Sequence, residues 1–96
     1  MIEIRKTQSF ADWFSGMRDK HVKARIQARI DRLSLGNFGD VAPVGEGISE
    51  LRIHYGPGYR VYFIQRGREL VILLGGGDKG TQRHDIKAAL ALAREL

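Results

Sequence analysis

Glu50-Leu51-Arg52-Ile53-His54-Tyr55-Gly56-Pro57-Gly58-Tyr59-Arg60-Val61-Tyr62-Phe63-Ile64 is the stretch on which the fold turns. Leu51, Ile53 and Tyr55 alternate with Glu50, Arg52 and His54, the period-two pattern of a strand with one buried face. Gly56-Pro57-Gly58 reverses the chain, and Tyr59 to Ile64 runs back. Read as a three-residue loop, the turn sets Tyr55 opposite Tyr59, His54 opposite Arg60 and Arg52 opposite Tyr62; a two-residue loop would slip that pairing. The core face then carries Leu51, Ile53, Tyr55, Tyr59, Val61 and Phe63. Arg52, His54, Arg60 and Tyr62 share the opposite face.

Toward the C-terminus, Gly67 breaks a second hairpin, and Leu70–Leu74 is apolar on both faces, as a central strand is. Gly75-Gly76-Gly77 reads as a flexible joint into a last helix, capped by Thr81 and striped by Ile86, Leu90 and Ala93. Toward the N-terminus, residues 37–47 hold Gly39, Pro43, Gly45 and Gly47 and read as a loop. Before them, Asp19 caps a helix striped by Val22, Ile26, Ile30 and Leu33, which Gly36-Asn37 stops. Thr7 or Ser9 caps a shorter helix with Phe10, Trp13, Phe14 and Met17 on one side, and Met1–Lys6 alternates as a strand. The order β-α-α-β-β-β-α predicts one α+β domain over residues 1–96, with a mostly antiparallel sheet and a helical hairpin packed on one face.

Sixteen Lys and Arg against eleven Asp and Glu give the 96-residue chain a net charge of +5. A small domain so basic favours polyanionic partners: nucleic acid, a ribonucleoprotein or an acidic protein segment. Arg18, Lys20, Lys23, Arg25, Arg29 and Arg32 crowd one helix and read as a solvated face. Arg52, Arg60, Lys79 and Arg83 are scattered in sequence but able to converge. The absence of cysteine excludes disulfides, thiolate metal sites and a cysteine nucleophile. No His, Asp and Glu share ligand spacing, so no metal and no cofactor are expected. Leu70–Leu74 is the longest strongly apolar run, too short to span a bilayer, and Met-Ile-Glu-Ile-Arg has no signal-peptide pattern. The expected compartment is the cytoplasm, with no membrane partner.

A sheet face bearing Arg52, His54, Arg60 and Tyr62 suits single-stranded RNA, with guanidinium groups on phosphates and Tyr62 stacking a base; a solvated polar face is the plain alternative. Lys79, Gln82 and Arg83 follow the last strand and can approach the same face. His54 is the residue type suited to proton transfer near neutrality. His21 and His84 read as solvated helix residues. Gly75 to Thr81 superficially resembles a phosphate loop but lacks the spacing of G-x-x-x-x-G-K-[ST].

Glu50-Leu51-Arg52, Gly56-Pro57-Gly58-Tyr59-Arg60-Val61-Tyr62-Phe63, Leu73 to Gln82 and Asp85-Ile86 together resemble the RelE/ParE superfamily of bacterial toxins, and more narrowly its HigB-like branch of addiction-module killer proteins. Phe10, Trp13 and Gly36-Asn37-Phe38-Gly39-Asp40 match that branch as well, so the resemblance covers nearly the whole chain. It implies the toxin of a type II toxin–antitoxin system, with a cognate antitoxin that is often a helix-turn-helix DNA-binding protein. RelE and HigB relatives cleave mRNA in the ribosomal A site by attack of the ribose 2′-OH, leaving a 2′,3′-cyclic phosphate. Residue by residue, the resemblance implies catalytic roles for Arg52, His54, Arg60 and Lys79, and more loosely an RNA contact at the Gln82-Arg83 pair; Tyr62 remains an RNA-contact candidate from the sheet-face pattern alone. Ile86 stands near the place of a catalytic tyrosine in RelE, and Gln82 near that of an arginine. ParE relatives keep the fold, lack the nuclease residues and inhibit DNA gyrase, so the resemblance leaves a non-catalytic gyrase inhibitor as the alternative.

Overall fold

Thr7 and Asp19 start the two N-terminal helices by accepting hydrogen bonds from backbone N–H groups that the first turn leaves without partners. In the computed structural model, which describes residues 1–96, Thr7 Oγ1 accepts from the N–H of Phe10 at 3.2 Å. Asp19 Oδ1 accepts from His21 at 2.9 Å and Val22 at 3.3 Å. The strand β1 (Glu3–Lys6) precedes helix α1 (Gln8–Ser15), and helix α2 (Lys20–Ser34) follows. Gly36, at φ 89°, ends the helical segment in the left-handed region that glycine enters without strain.

Four further strands follow, β2 (Val41–Gly45), β3 (Ile48–Ile53), β4 (Tyr59–Arg66) and β5 (Leu70–Asp78), before a 3-10 turn (Lys79–Thr81) and helix α3 (Gln82–Arg94). They form one five-stranded sheet in the order β1-β5-β4-β3-β2. Only the β1–β5 pair is parallel. The architecture is the expected α+β class and matches a RelE-like fold. The stretch expected as a loop contributes the edge strand β2, because Val41 and Ala42 pair with Leu51 and Glu50 despite the surrounding glycines. Pro43 is tolerated there since an edge strand needs no N–H on its outer side.

Pairing between β3 and β4 joins Ile53 to Tyr59, Arg52 to Arg60, Leu51 to Val61 and Glu50 to Tyr62. That is two residues away from the three-residue-loop register. The Tyr55 N–H donates to the Ile53 carbonyl and the Gly58 N–H to the Tyr55 carbonyl, both at 3.0 Å, so the reversal widens to residues 54–58. Side chains alternate with period two, so a slip of two leaves each paired residue on its expected face. His54 and Tyr55 both lie beyond the ladder, so His54 does not face Arg60 and Tyr59 pairs with Ile53 in place of Tyr55.

One face of the sheet packs Leu51, Ile53, Val61, Phe63, Val71 and Leu73 against Phe10, Val22, Ile26, Ile30 and Leu33 of the helical hairpin. The other face is covered too. Ile48, Tyr62 and Leu74 pack with Ala89, and Ile86, Leu90 and Ala93 of α3 close over them. The third helix therefore occupies part of the face that the strand pattern alone would leave to solvent, as its own apolar stripe demands. Gly75, Gly76 and Gly77 are strand residues and not a flexible joint. A Cβ on Gly76 would stand 2.3 Å from the Trp13 ring, and one on Gly77 would overlap the Asp85 carboxylate. The glycines let α1 and α3 approach the strand backbone. No helix is long and apolar enough to cross a membrane.

Candidate functional site

Arg52 and Arg60 sit directly opposite each other on one face of the β3–β4 pair. Like charges so placed repel. Glu50, two residues before Arg52 on the same face, supplies the anion between them. Its carboxylate accepts from Arg60 Nε at 2.7 Å and Arg52 Nε at 2.9 Å through Oε2, and from Gln82 Nε2 at 3.1 Å through Oε1. Glu50 is 1% exposed. Burial is the largest influence on its carboxyl and pushes its pKa up, but the hydrogen bonds and charges of the two arginines outweigh it and hold the group below the usual carboxylate range. The same hydrogen bond raises Arg52.

His54 stands where the chain leaves β3, 75% exposed, and its Nε2 is 2.5 Å from Asp40 Oδ2. That hydrogen bond is the main cause of a lowered Asp40 pKa. Asp40 is brought there by Arg29, whose guanidinium donates to the carbonyls of Phe38 at 3.1 Å, Asp40 at 3.4 Å, and Arg52. Arg29 is thus a tether between α2 and β3 and not a member of a solvated face; burial is the main cause of its lowered pKa. Arg52 also approaches Asp40 Oδ1 at 3.7 Å.

Arg52, His54, Arg60 and Lys79 all line one cleft of about 340 Å³, whose rim is the 54–58 turn. Lys79 reaches it because its N–H donates to the Gly58 carbonyl at 2.9 Å. The 3-10 turn that carries Lys79 is itself fixed by Asp78, which accepts from Gly80 at 2.8 Å and Thr81 at 3.1 Å. Arg60 is nearly enclosed, 15% exposed at its side chain, and only its Nε is engaged by Glu50. The two terminal nitrogens of Arg60 and Nη2 of Arg52, which no carboxylate engages, are donors suited to a tetrahedral oxyanion such as phosphate.

The other sequence candidates are placed differently. Tyr62 is 0% exposed beneath α3, so it offers no surface for stacking a base. Its hydroxyl has no hydrogen-bond partner in the chain, and burial, with the charges of Glu50 and Asp85, pushes its pKa up to about 12. Gln82 is engaged by Glu50 from above. Arg83 points to a separate depression with Gly80, Thr81, His84 and Lys87. Glu50 and Asp40 are the site residues that strand pattern alone does not single out. The signal for Glu50 is an acid on the arginine-bearing face of a strand; for Asp40, in a loop 14 residues before His54, no local signal exists. No three His, Asp or Glu side chains converge as metal ligands.

The model of the family described as phage-derived protein Gp49-like (DUF891) matches residues 12–96. The chain belongs to this family. Gp49-like proteins are toxin–antitoxin-associated and related to RelE-like toxins, and membership implies a cognate antitoxin as partner. A Haemophilus influenzae protein described only as uncharacterized is 54% identical over 95 residues, 99% of this chain and 96% of that one. The Gp49-like match begins inside α1 and so contains the whole cleft, from Asp40 to Gln82, while β1 lies outside it.

Proposed function

We propose that this Gp49-like chain is the toxin of a type II toxin–antitoxin system, of the HigB-like kind, acting as a ribosome-dependent mRNA endonuclease. The observation that carries the reading is the convergence of Arg52, His54, Arg60 and Lys79 on one open cleft. Cleavage requires removal of the 2′-OH proton, in-line attack on the adjacent phosphorus, stabilisation of the phosphorane and protonation of the departing 5′-oxygen. With Nε2–H directed to Asp40, the neutral His54 imidazole carries its lone pair on Nδ1, which takes the 2′-OH proton. The ionised Asp40 then stabilises the imidazolium. The free nitrogens of Arg60 and Arg52 balance the developing charge on the phosphorane oxygens. Lys79 gives its proton to the 5′-oxygen as the P–O bond breaks. A 2′,3′-cyclic phosphate and a 5′-hydroxyl result, with no water consumed.

The cleft is shallow, and Glu50 offsets part of the arginine charge. Activity on free RNA is accordingly weak, and the ribosome supplies the in-line geometry. Brief induction followed by mapping of mRNA 5′ ends tests the reading. Codon-phased cleavage together with growth arrest, relieved by the antitoxin, is expected. Intact mRNA accompanied by double-strand DNA breaks would overturn it in favour of a gyrase inhibitor.

A further inference from the structure

The main cleft continues past His54. A second depression of about 270 Å³ is lined by Arg25, Ala28, Arg29, Arg32, Ile53 and His54. Ile53 and His54 belong to both. Arg25, Arg29 and Arg32 fall at i, i+4 and i+7, a stripe along α2 next to the buried one. Arg29 is committed to main-chain carbonyls. Arg25 and Arg32 are exposed, and none of the ion pairs in the chain involves them. No acidic residue lines the depression. The Arg25 guanidinium lies 4.3 Å over the Tyr55 ring, and Tyr55 lines the main cleft. The Arg25–Tyr55 stack is therefore the partition between two cationic depressions.

We propose that this groove is a second phosphate subsite, which holds the backbone of a single RNA strand beside the phosphate in the main cleft. Arg25 and Arg32 are the phosphate ligands, and the outer face of the Arg25 guanidinium is a platform for a base. The inference rests on the nuclease reading for the phosphate in the main cleft. Arg25 and Arg32 stand about 10.5 Å apart along the helix axis, so the groove serves more backbone than one phosphate. A guanidinium already packed on an aromatic ring keeps its second face free, and unstacked RNA bases bind such faces. An acidic protein segment would meet the same charges but gains nothing from that flat face or from continuity with His54.

The test uses oligoribonucleotides methylated at every 2′-oxygen, which bind but cannot be cut. Fluorescence anisotropy follows a trinucleotide and a nonanucleotide on the wild-type chain and on the Arg25→Gln/Arg32→Gln variant across a salt series. For the nonanucleotide, the slope of log affinity against log salt should fall by about 1.4, or about 0.7 for each lost phosphate contact. The trinucleotide, short enough for the main cleft alone, should bind both proteins equally. Equal loss for both lengths, no loss for either, or no binding by the wild type would overturn the subsite. Unchanged RNA binding with weakened capture of the antitoxin would overturn it too, in favour of a protein interface. Cleavage of unmodified mRNA on ribosomes reads the nuclease proposal separately, so either can fail while the other stands.

Discussion

Arg60 donates its Nε to the buried carboxylate of Glu50 at 2.7 Å, and this pair joins the stability of the sheet to the chemistry of the cleft. Glu50 also holds Arg52 and Gln82, so one carboxylate orients side chains from β3, β4 and α3. A cationic cleft built without it would set two arginines against each other across neighbouring strands. With it, each guanidinium is anchored through Nε, leaving both terminal nitrogens of Arg60 and Nη2 of Arg52 for a ligand.

Glu50→Ala should therefore destabilise the protein and abolish toxicity together. Removing one partner of a buried ion pair costs about 3–5 kcal/mol, and the lower end applies because Arg52 reaches solvent. In a domain of this size that lowers the unfolding midpoint by more than about 10 °C. A thermal melt checks it; a midpoint within a few degrees of wild type would remove Glu50 from its organising role.

Acid should act through the same group. The Glu50 carboxyl is held below its ordinary value of 4.5, so the unfolded chain takes up the proton first as the pH falls. Its contribution to stability is full above that value and is lost as the pH drops through the lower, folded one. Unfolding midpoints measured across this acidic range should fall for the wild type and fall less for Glu50→Gln. Parallel curves for the two proteins would contradict the assignment.

Asp40→Asn should leave the fold nearly intact and reduce cleavage. The Asp40 side chain is well exposed, while the tether from Arg29 grips the main chain, which the substitution preserves. What changes is the hydrogen bond that selects the His54 tautomer and the charge that stabilises its protonated form. A loss of about 10²–10⁴ in cleavage rate is expected, the range for general acid–base groups, and the same for His54→Ala. Primer extension on ribosome-bound mRNA measures it, and near-wild-type rates would exclude the pair from proton transfer.

Tyr62→Phe should keep growth arrest and stabilise the fold by about 1 kcal/mol, because it removes a buried hydroxyl that has no partner. A base-stacking tyrosine would also survive this change, so Tyr62→Leu is the sharper companion: it should lower the unfolding midpoint by opening space beneath α3. RNA affinity lost at an unchanged midpoint would return Tyr62 to the surface.

Local pattern carried much of this molecule. The caps at Thr7 and Asp19, the stop at Gly36, the period-two strands and the face assignments of the hairpin all follow from neighbours within a few residues, where propensity and alternation act. The residues lining the cleft at Arg52, Arg60 and Lys79 were visible as basic positions around strand ends. Long-range contact set the rest. The hairpin register depended on the Tyr55 carbonyl closing a wider turn; β2 became a strand because β3 offered it an edge. Gly76 and Gly77 read as slack until Trp13 and Asp85 are seen against them. Tyr62 kept its expected face but was buried there, because the apolar stripe of α3 needed a surface and took that one. Asp40 met His54 through the tether of Arg29 to a distant loop. Alternation states which face a side chain takes, but burial and ion pairing depend on what other segments bring to that face, and no period in the chain encodes that.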